Sequence, residues 1–283
     1  MLTTSRRAVV AGFFLSGFAP ALRNRPTTML HNGKIWTGDR ALPAAQALAS
    51  VGDRIVAVGD NREVLELAGP GTRKVDLGGK RVTPGFNDAH CHLALGGLER
   101  LRYVATDLES IAAIQERLRE RAGRTTPGTA VIGFLYDDGK TPRPLNRQDL
   151  DAVSTRHPVI VQHRGGHTTF VNSLAYRMAG VDERTPNPKG GEFARGPDGR
   201  LSGLIVDRAS DPFDKLFPGP ASRDEMRKAV AEASRMFASC GITSACDAGA
   251  SPAMLTGYHD AHREGELATR IYCHMRNRAL GAR

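Results

Sequence analysis

The sequence predicts an α/β protein in which a small β-rich segment, residues 27–82, precedes a longer α/β region, residues 83–283. Two patterns carry this reading. Up to residue 82, short β runs are separated by tight glycine turns. After residue 84, apolar runs of strand length alternate with amphipathic helical stretches, which argues for a parallel α/β sheet. A third feature, two histidines one residue apart just after the β-rich segment, marks where chemistry is expected.

Composition excludes several classes. A chain of 283 residues is long enough for a substantial core, and 40% hydrophobic with 24% charged residues excludes a disordered chain. Cys91, Cys240, Cys246 and Cys273 show no CxxC spacing, which excludes a zinc knuckle or disulfide framework and leaves four buried thiols as the expectation. No apolar run reaches the roughly 18–20 residues of a membrane-spanning helix. The net charge of +9 sits at the ends: Arg6, Arg7, Arg23 and Arg25 at the start, Arg270, Arg276, Arg278 and Arg283 at the finish. Residues 26–269 carry only +1 and lack aromatic–basic interleaving, so a nucleic-acid partner is not expected.

In chain order, Ser5-Arg6-Arg7 precedes an apolar stretch, residues 8–21, that closes on Ala19-Pro20-Ala21. A charged start, a short apolar region and an A-x-A ending fit a cleavable export signal within a 1–26 leader and linker. The paired arginines point to the twin-arginine route and a periplasmic or extracellular protein. The other reading is a frayed N-terminus or misassigned start on a cytoplasmic protein.

Residues 29–36 form two short β runs around Asn32-Gly33, and residues 47–51 and 54–58 flank Gly52-Asp53 as a two-residue hairpin. Residues 75–77 and 81–83 flank Gly78-Gly79 in the same way, and 61–68 is helix-like.

Then comes Pro84-Gly85-Phe86-Asn87-Asp88-Ala89-His90-Cys91-His92. On a regular strand Asp88, His90 and His92 share one face while Ala89 and Cys91 turn to the core. Two imidazoles so spaced can reach one divalent ion, and Asp88 can orient an imidazole from behind. A bare HxH is weakly specific; one preceded by P-G-F-x-D after a hairpin segment is far more so.

At this point the sequence resembles the metal-dependent amidohydrolase superfamily, and more closely its amidohydrolase 3 branch, which includes N-substituted formamide deformylase-like enzymes. The matching segments are HNGKIWTGD (31–39), DRIVAVGD (53–60), DLGGKRVTPGFNDAHCHL (76–93), HRGGHTTFVNS (163–173), TPNPKGGEF (185–193), GRLSGLIVDRA (199–209) and GITSACDAG (241–249). The resemblance implies that the early hairpins are half of a small β-sandwich. It also implies a partial (β/α)8 TIM-like barrel with HxH at the end of its first strand.

Beyond the motif, Ser110 opens a helix over 111–122 with Ile111, Ile114 and Leu118 on one face and Gly123 as its stop. Residues 129–134, 158–162, 242–246 and 270–274 are strand candidates, and 184–203 reads as a long loop or hairpin excursion near the site. Ser222 with Glu225 makes a capping box for a helix that ends at Cys240-Gly241.

Candidate site residues follow. His90 and His92 are the expected metal ligands, with Asp88 behind them. His163 and His167 bracket a glycine pair and line a substrate pocket, or else are satisfied loop histidines. Asp207 stands where the resembling branch carries a glutamate in a G-x-L-x-E-like segment; it supplies a carboxylate to the metal centre if its shorter side chain reaches. Asp247 and His274 lie on strand candidates without further support, His259 and His262 read as a solvated helix face, and Cys91 as core.

The resemblance implies a divalent metal, zinc-type, as one or two ions. Such an ion makes hydroxide from water at neutral pH and polarises a carbonyl, so a small-molecule amide would be hydrolysed at its C–N bond. A whole barrel takes about 250 residues, whereas about 200 follow Pro84 and supply four or five barrel-strand candidates. The expectation is therefore a chain lacking the C-terminal half, prone to self-association through open sheet edges. The competing reading is a catalytically inactive remnant.

Overall fold

The computed structural model describes residues 25–275 and divides into two compact units, Met1–Gly85 and Phe86–Arg283. The export signal expected at the N-terminus falls almost wholly outside the described residues. No helix among the described residues is long and apolar enough to cross a membrane.

The first unit holds β1 (Thr28–His31), β2 (Lys34–Trp36), β3 (Ala44–Ala45), β4 (Ala47–Val51), β5 (Arg54–Gly59), α1 (Asn61–Leu65), β6 (Arg73–Asp76) and β7 (Arg81–Val82). They form two sheets, β5-β4-β1-β6 and β3-β2-β7. The β4–β5 hairpin forms as expected, with Gly52 at φ 57°. The other two glycine turns are not hairpins. β1 pairs with β6 and β2 with β7, both in parallel, so Asn32-Gly33 and Gly78-Gly79 are corners where the chain passes from one sheet to the other. The corners bind each other: Gly79 N–H donates to Asn32 O at 2.7 Å and Lys34 N–H to Lys80 O at 2.9 Å. Met29, Ala47, Ala49 and Val64 form the small core.

The second unit begins with β8 (Phe86–Cys91) and α2 (Leu93–Arg102) and ends with α6 (Arg223–Ser239), β15 (Ile242–Ala250), α7 (Pro252–Arg263) and β16 (Arg270–Met275). Between them run β9 (Val104–Ala105), α3 (Ile111–Ala122), β10 (Val131–Tyr136), α4 (Arg147–Asp151), β11 (Val159–His163), β12 (Thr168–Val171), α5 (Ser173–Ala179), β13 (Gly191–Arg195) and β14 (Leu201–Asp207).

The alternation expected to give one parallel sheet splits into two sheets. β8, β15 and β16 form a parallel three-stranded sheet in the order β16-β15-β8. The intervening strands form a six-stranded mixed sheet, β13-β14-β12-β11-β10-β9. β10 and β11, counted from sequence as barrel strands, therefore do not join the HxH strand, and no closed barrel occurs among the described residues. That sheet is mixed for a local reason: only four residues separate β11 from β12, too few for a crossover, so β12 returns antiparallel. The excursion over 184–203 supplies β13, which pairs antiparallel with β14.

Both sheets take their cover from helices. Val131, Val159 and Val161 pack with Ile114 and Leu118 of α3, while Ile132 and Ile160 pack on the opposite face with Ala175 and Tyr176 of α5. Central strands so covered can be continuously apolar. Under the three-stranded sheet, Leu93 and Ala94 of α2, Met226 and Val230 of α6 and Tyr258 and Ala261 of α7 meet Cys91, Ala245, Ile271 and Cys273. Ser222 caps α6 by accepting the Glu225 N–H, but the expected reciprocal half of the box is replaced: the Glu225 carboxylate takes Arg102 Nε and Nη2 at 2.7 and 2.8 Å. Of the four thiols expected to be buried, Cys91, Cys246 and Cys273 are half-buried, and Cys240, the C-cap of α6, is exposed.

Candidate active site

β8 carries the HxH motif, and its last turn departs from regular alternation. Its pairing with β15 shifts register: Ala89 and His90, between Asp88 and Cys91, oppose the single residue Cys246 between Ala245 and Asp247. Ala89, expected in the core, is exposed. Asp88 closes the irregularity by accepting the His90 backbone N–H on Oδ1 at 3.1 Å. The carboxylate thus fixes the main chain of His90, whereas alternation had assigned it to an imidazole. Cys91 turns to the helix layer, where burial raises its thiol to about 11.

His92 lies one step past the strand as the N-cap of α2, with φ −124° and ψ 63°. The His90 and His92 rings are both exposed, 5.5 Å apart between centres and edge-to-face. Two imidazoles sharing a tetrahedral zinc ion, at bonds of about 2.0–2.1 Å, place their ring centres about 5 Å apart. The pair fits a zinc-type ion in donor type and spacing. Behind it, Asp247 of β15 is 2% exposed and accepts the Ala94 N–H on Oδ2 at 3.0 Å and the Tyr258 hydroxyl on the same oxygen. Burial and that donation raise the Tyr258 phenol far above its ordinary value. Glu99 of α2 is half-buried, and that burial raises its carboxyl above the ordinary value.

The other expected site residues gather at one end of the six-stranded sheet. β10, β11 and β14 all run toward that end, so their C-terminal residues and the start of β12 converge. His167 Nδ1 and Asp207 Oδ1 meet at 2.9 Å, and Asp207 N–H donates to His167 O at 2.8 Å. His163 Nε2 lies 3.2 Å from Asp138 Oδ1, and Arg164 Nε 2.9 Å from Asp137 Oδ2. Asp137, Asp138 and His163 bring three ligand atoms within 4.8 Å, enough in distance for a cation. The hydrogen bonds oppose one: His163 Nδ1 accepts the Gly165 N–H at 3.0 Å, so neutral His163 carries its proton on Nε2 and donates it to Asp138.

Sequence reasoning missed Asp137 and Asp138, although two acids closing the apolar run VIGFLY mark a strand end. It also left Asp247 without a role, since its partners lie 153 residues away and on another helix. His274 is exposed on β16, and His259 and His262 are exposed on α7, as a solvated face predicts. A cavity of about 910 Å³ between α7, β15 and β16 is lined by Thr243, Tyr258, His262 and Tyr272 among others and takes in none of the expected site residues.

These features agree with what the chain is similar to. It is 32% identical over 228 residues to Protein LONG AFTER FAR-RED 3 of Arabidopsis thaliana, covering 78% of this chain and 38% of that protein. It is 28% identical over 246 residues to an N-substituted formamide deformylase of Arthrobacter pascens, covering 84% and 45%. The chain thus spans less than half the length of these relatives. An uncharacterized metal-dependent hydrolase from Pyrococcus furiosus shares the fold, with a TM-score of 0.60, 23% identity and coverage of 88% of this chain and 50% of that one. The amidohydrolase family model matches residues 73–280, and the chain belongs to that family.

Proposed function

We propose that this chain carries the metal-binding part of a metal-dependent amidohydrolase that hydrolyses C–N bonds in small amides, N-substituted formamides being the first class to test. The observation that supports this best is the exposed His90–His92 pair, 5.5 Å between ring centres at the end of β8. In this reading β8, β15 and β16, with α2, α6 and α7 on one face, are one wall of a (β/α)8 barrel, whose chemistry lies at the C-terminal strand ends. Residues 27–82 are half of a β-sandwich in the same reading.

When bound, a zinc-type ion supplies hydroxide by lowering the pKa of water to about 7 and polarises a carbonyl. His90 and His92 hold it, and Asp88 keeps the His90 main chain in place. His163 and His167 line the substrate side. Asp207 ties His167 through Nδ1, which leaves Nε2 to meet a polar atom of the amide, and it acts there rather than as a metal ligand. Export by the twin-arginine route and self-association through the edges of the three-stranded sheet complete the proposal.

The test is metal content and amine release by the 283-residue chain. The double variant His90→Ala/His92→Ala should lose zinc by elemental analysis; unchanged stoichiometry overturns the ligand assignment. Retained amine release from N-substituted formamides after that loss overturns the reaction. Arg6→Lys/Arg7→Lys should leave the precursor uncleaved, and normal processing removes the export route.

A further inference from the structure

We infer that Asp247, seconded by Tyr258, is the positioning residue of His92: it caps α2 from another strand and so sets where the second imidazole of the metal centre stands. The inference rests on His90 and His92 as metal ligands and goes beyond it by assigning what holds them.

α2 begins at Leu93 with His92 as its N-cap, and no side chain of that segment caps it. The first N–H groups of a helix have no partner within it. One of them, Ala94 N–H, is taken by Asp247 Oδ2. The same aspartate stands opposite Cys91 in the β8–β15 register. Asp247 therefore bears on both sides of His92: its backbone lies opposite Cys91 in the ladder, and its carboxylate holds Ala94. Between these two anchors His92 adopts a backbone that is neither strand nor helix. Cys91 Sγ adds a contact to Cys246 O at 3.4 Å.

The carboxylate is itself held. Tyr258, near the middle of α7, donates its hydroxyl to Oδ2, and both residues are buried. A negative charge at a helix N-terminus is favourable, and burial strengthens that interaction. Losing the acceptor would leave Ala94 N–H unpaired and α2 uncapped, so the first turn and His92 with it would be free to shift relative to His90. Residues that orient metal ligands from behind typically cost 10–100-fold in metal affinity when removed.

The experiment compares zinc affinity, by chelator competition, and the visible absorption of the cobalt(II)-loaded chain across variants of the full protein. Asp247→Ala should weaken zinc binding by about 10–100-fold and alter the cobalt bands. Asp247→Asn keeps an acceptor oxygen and should restore affinity to within a few-fold of the parent. Val230→Ala, a fully buried change in α6 of the same layer, should lower the melting temperature while leaving affinity and spectrum unchanged. If Asp247→Ala does not fold, Tyr258→Phe carries the test, with several-fold weaker binding expected. Parental affinity and spectrum in Asp247→Ala or Tyr258→Phe overturn the inference and leave the metal centre standing. A parent chain that takes up neither zinc nor cobalt overturns the metal centre and the inference together.

Discussion

His167 Nδ1 and Asp207 Oδ1 lie 2.9 Å apart across 40 residues of chain, and Asp207 reaches that place on a backbone with φ 46° and ψ −124°. A side chain in that region is strained by about 1–3 kcal/mol, whereas an exposed contact of this kind returns at most about 1 kcal/mol. The strain exceeds what the contact returns to stability, which is the pattern of a residue kept for its position.

Replacing Asp207 separates these terms. Asp207→Ala loses the contact and keeps the strain, while Asp207→Gly loses both at an entropic cost of about 0.5–1 kcal/mol. The glycine variant should be more stable than the alanine variant by about 1 kcal/mol. Thermal melting of the two variants decides it, and equal midpoints would show that the backbone at 207 is not strained.

Asn172, in the segment HTTFVNS, is fully buried. Its Oδ1 accepts the Val159 and Ala175 N–H groups, and its Nδ2 donates to Ser154 O and His157 O, all at 2.9–3.0 Å. Asn172→Leu would orphan four backbone groups at about 1–3 kcal/mol each where water cannot replace the bond. A loss of at least about 3 kcal/mol in denaturant unfolding is expected, against a near-neutral result if the site hydrates.

Gly97 lets α2 lie against α6: a Cβ there would stand 2.3 Å from Ala229 O and 3.1 Å from the Ala233 Cβ. Alanine is favoured over glycine in a helix by about 1 kcal/mol, but the clash is with backbone and overpacking costs about 1–3 kcal/mol. Gly97→Ala should therefore destabilise. Because α2 starts at His92, zinc affinity should fall with it, measured alongside the melting temperature.

Asp260 of α7 receives Arg223 Nε and Nη2 at 2.6 and 2.8 Å, and that pair lowers its carboxyl to about 2. In the unfolded chain the carboxyl titrates at its ordinary value of 3.8. Its contribution is present above about pH 4 and lost as the pH falls toward about 2. Asp260→Asn should flatten the acid limb of the stability profile in that window, read from urea midpoints at pH 5, 4, 3 and 2.5; an unchanged limb would detach the Arg223 pair from acid stability.

Much of this protein was legible in its residues. Ser110 with Ile114 and Leu118 placed α3, and Gly52-Asp53 placed the β4–β5 hairpin. P-G-F-x-D-x-H-x-H placed the imidazole pair. Each is local: caps, turn residues and side-chain periodicity act over a few positions, so the sequence by itself determined these elements and set a histidine pair where β8 gives way to α2. Pairing is not local. The apolar runs at β10 and β11 fit any doubly covered sheet, and only the assembled fold shows that they pair with each other and with β9 and β12 rather than with the HxH strand. β1 and β6, likewise, look like hairpin arms until they are seen paired in parallel. The grip of Asp247 on Ala94, and of Asp207 on His167, joins residues 153 and 40 positions apart. Such contacts depend on how whole layers dock, and a chain read one window at a time carries no record of that.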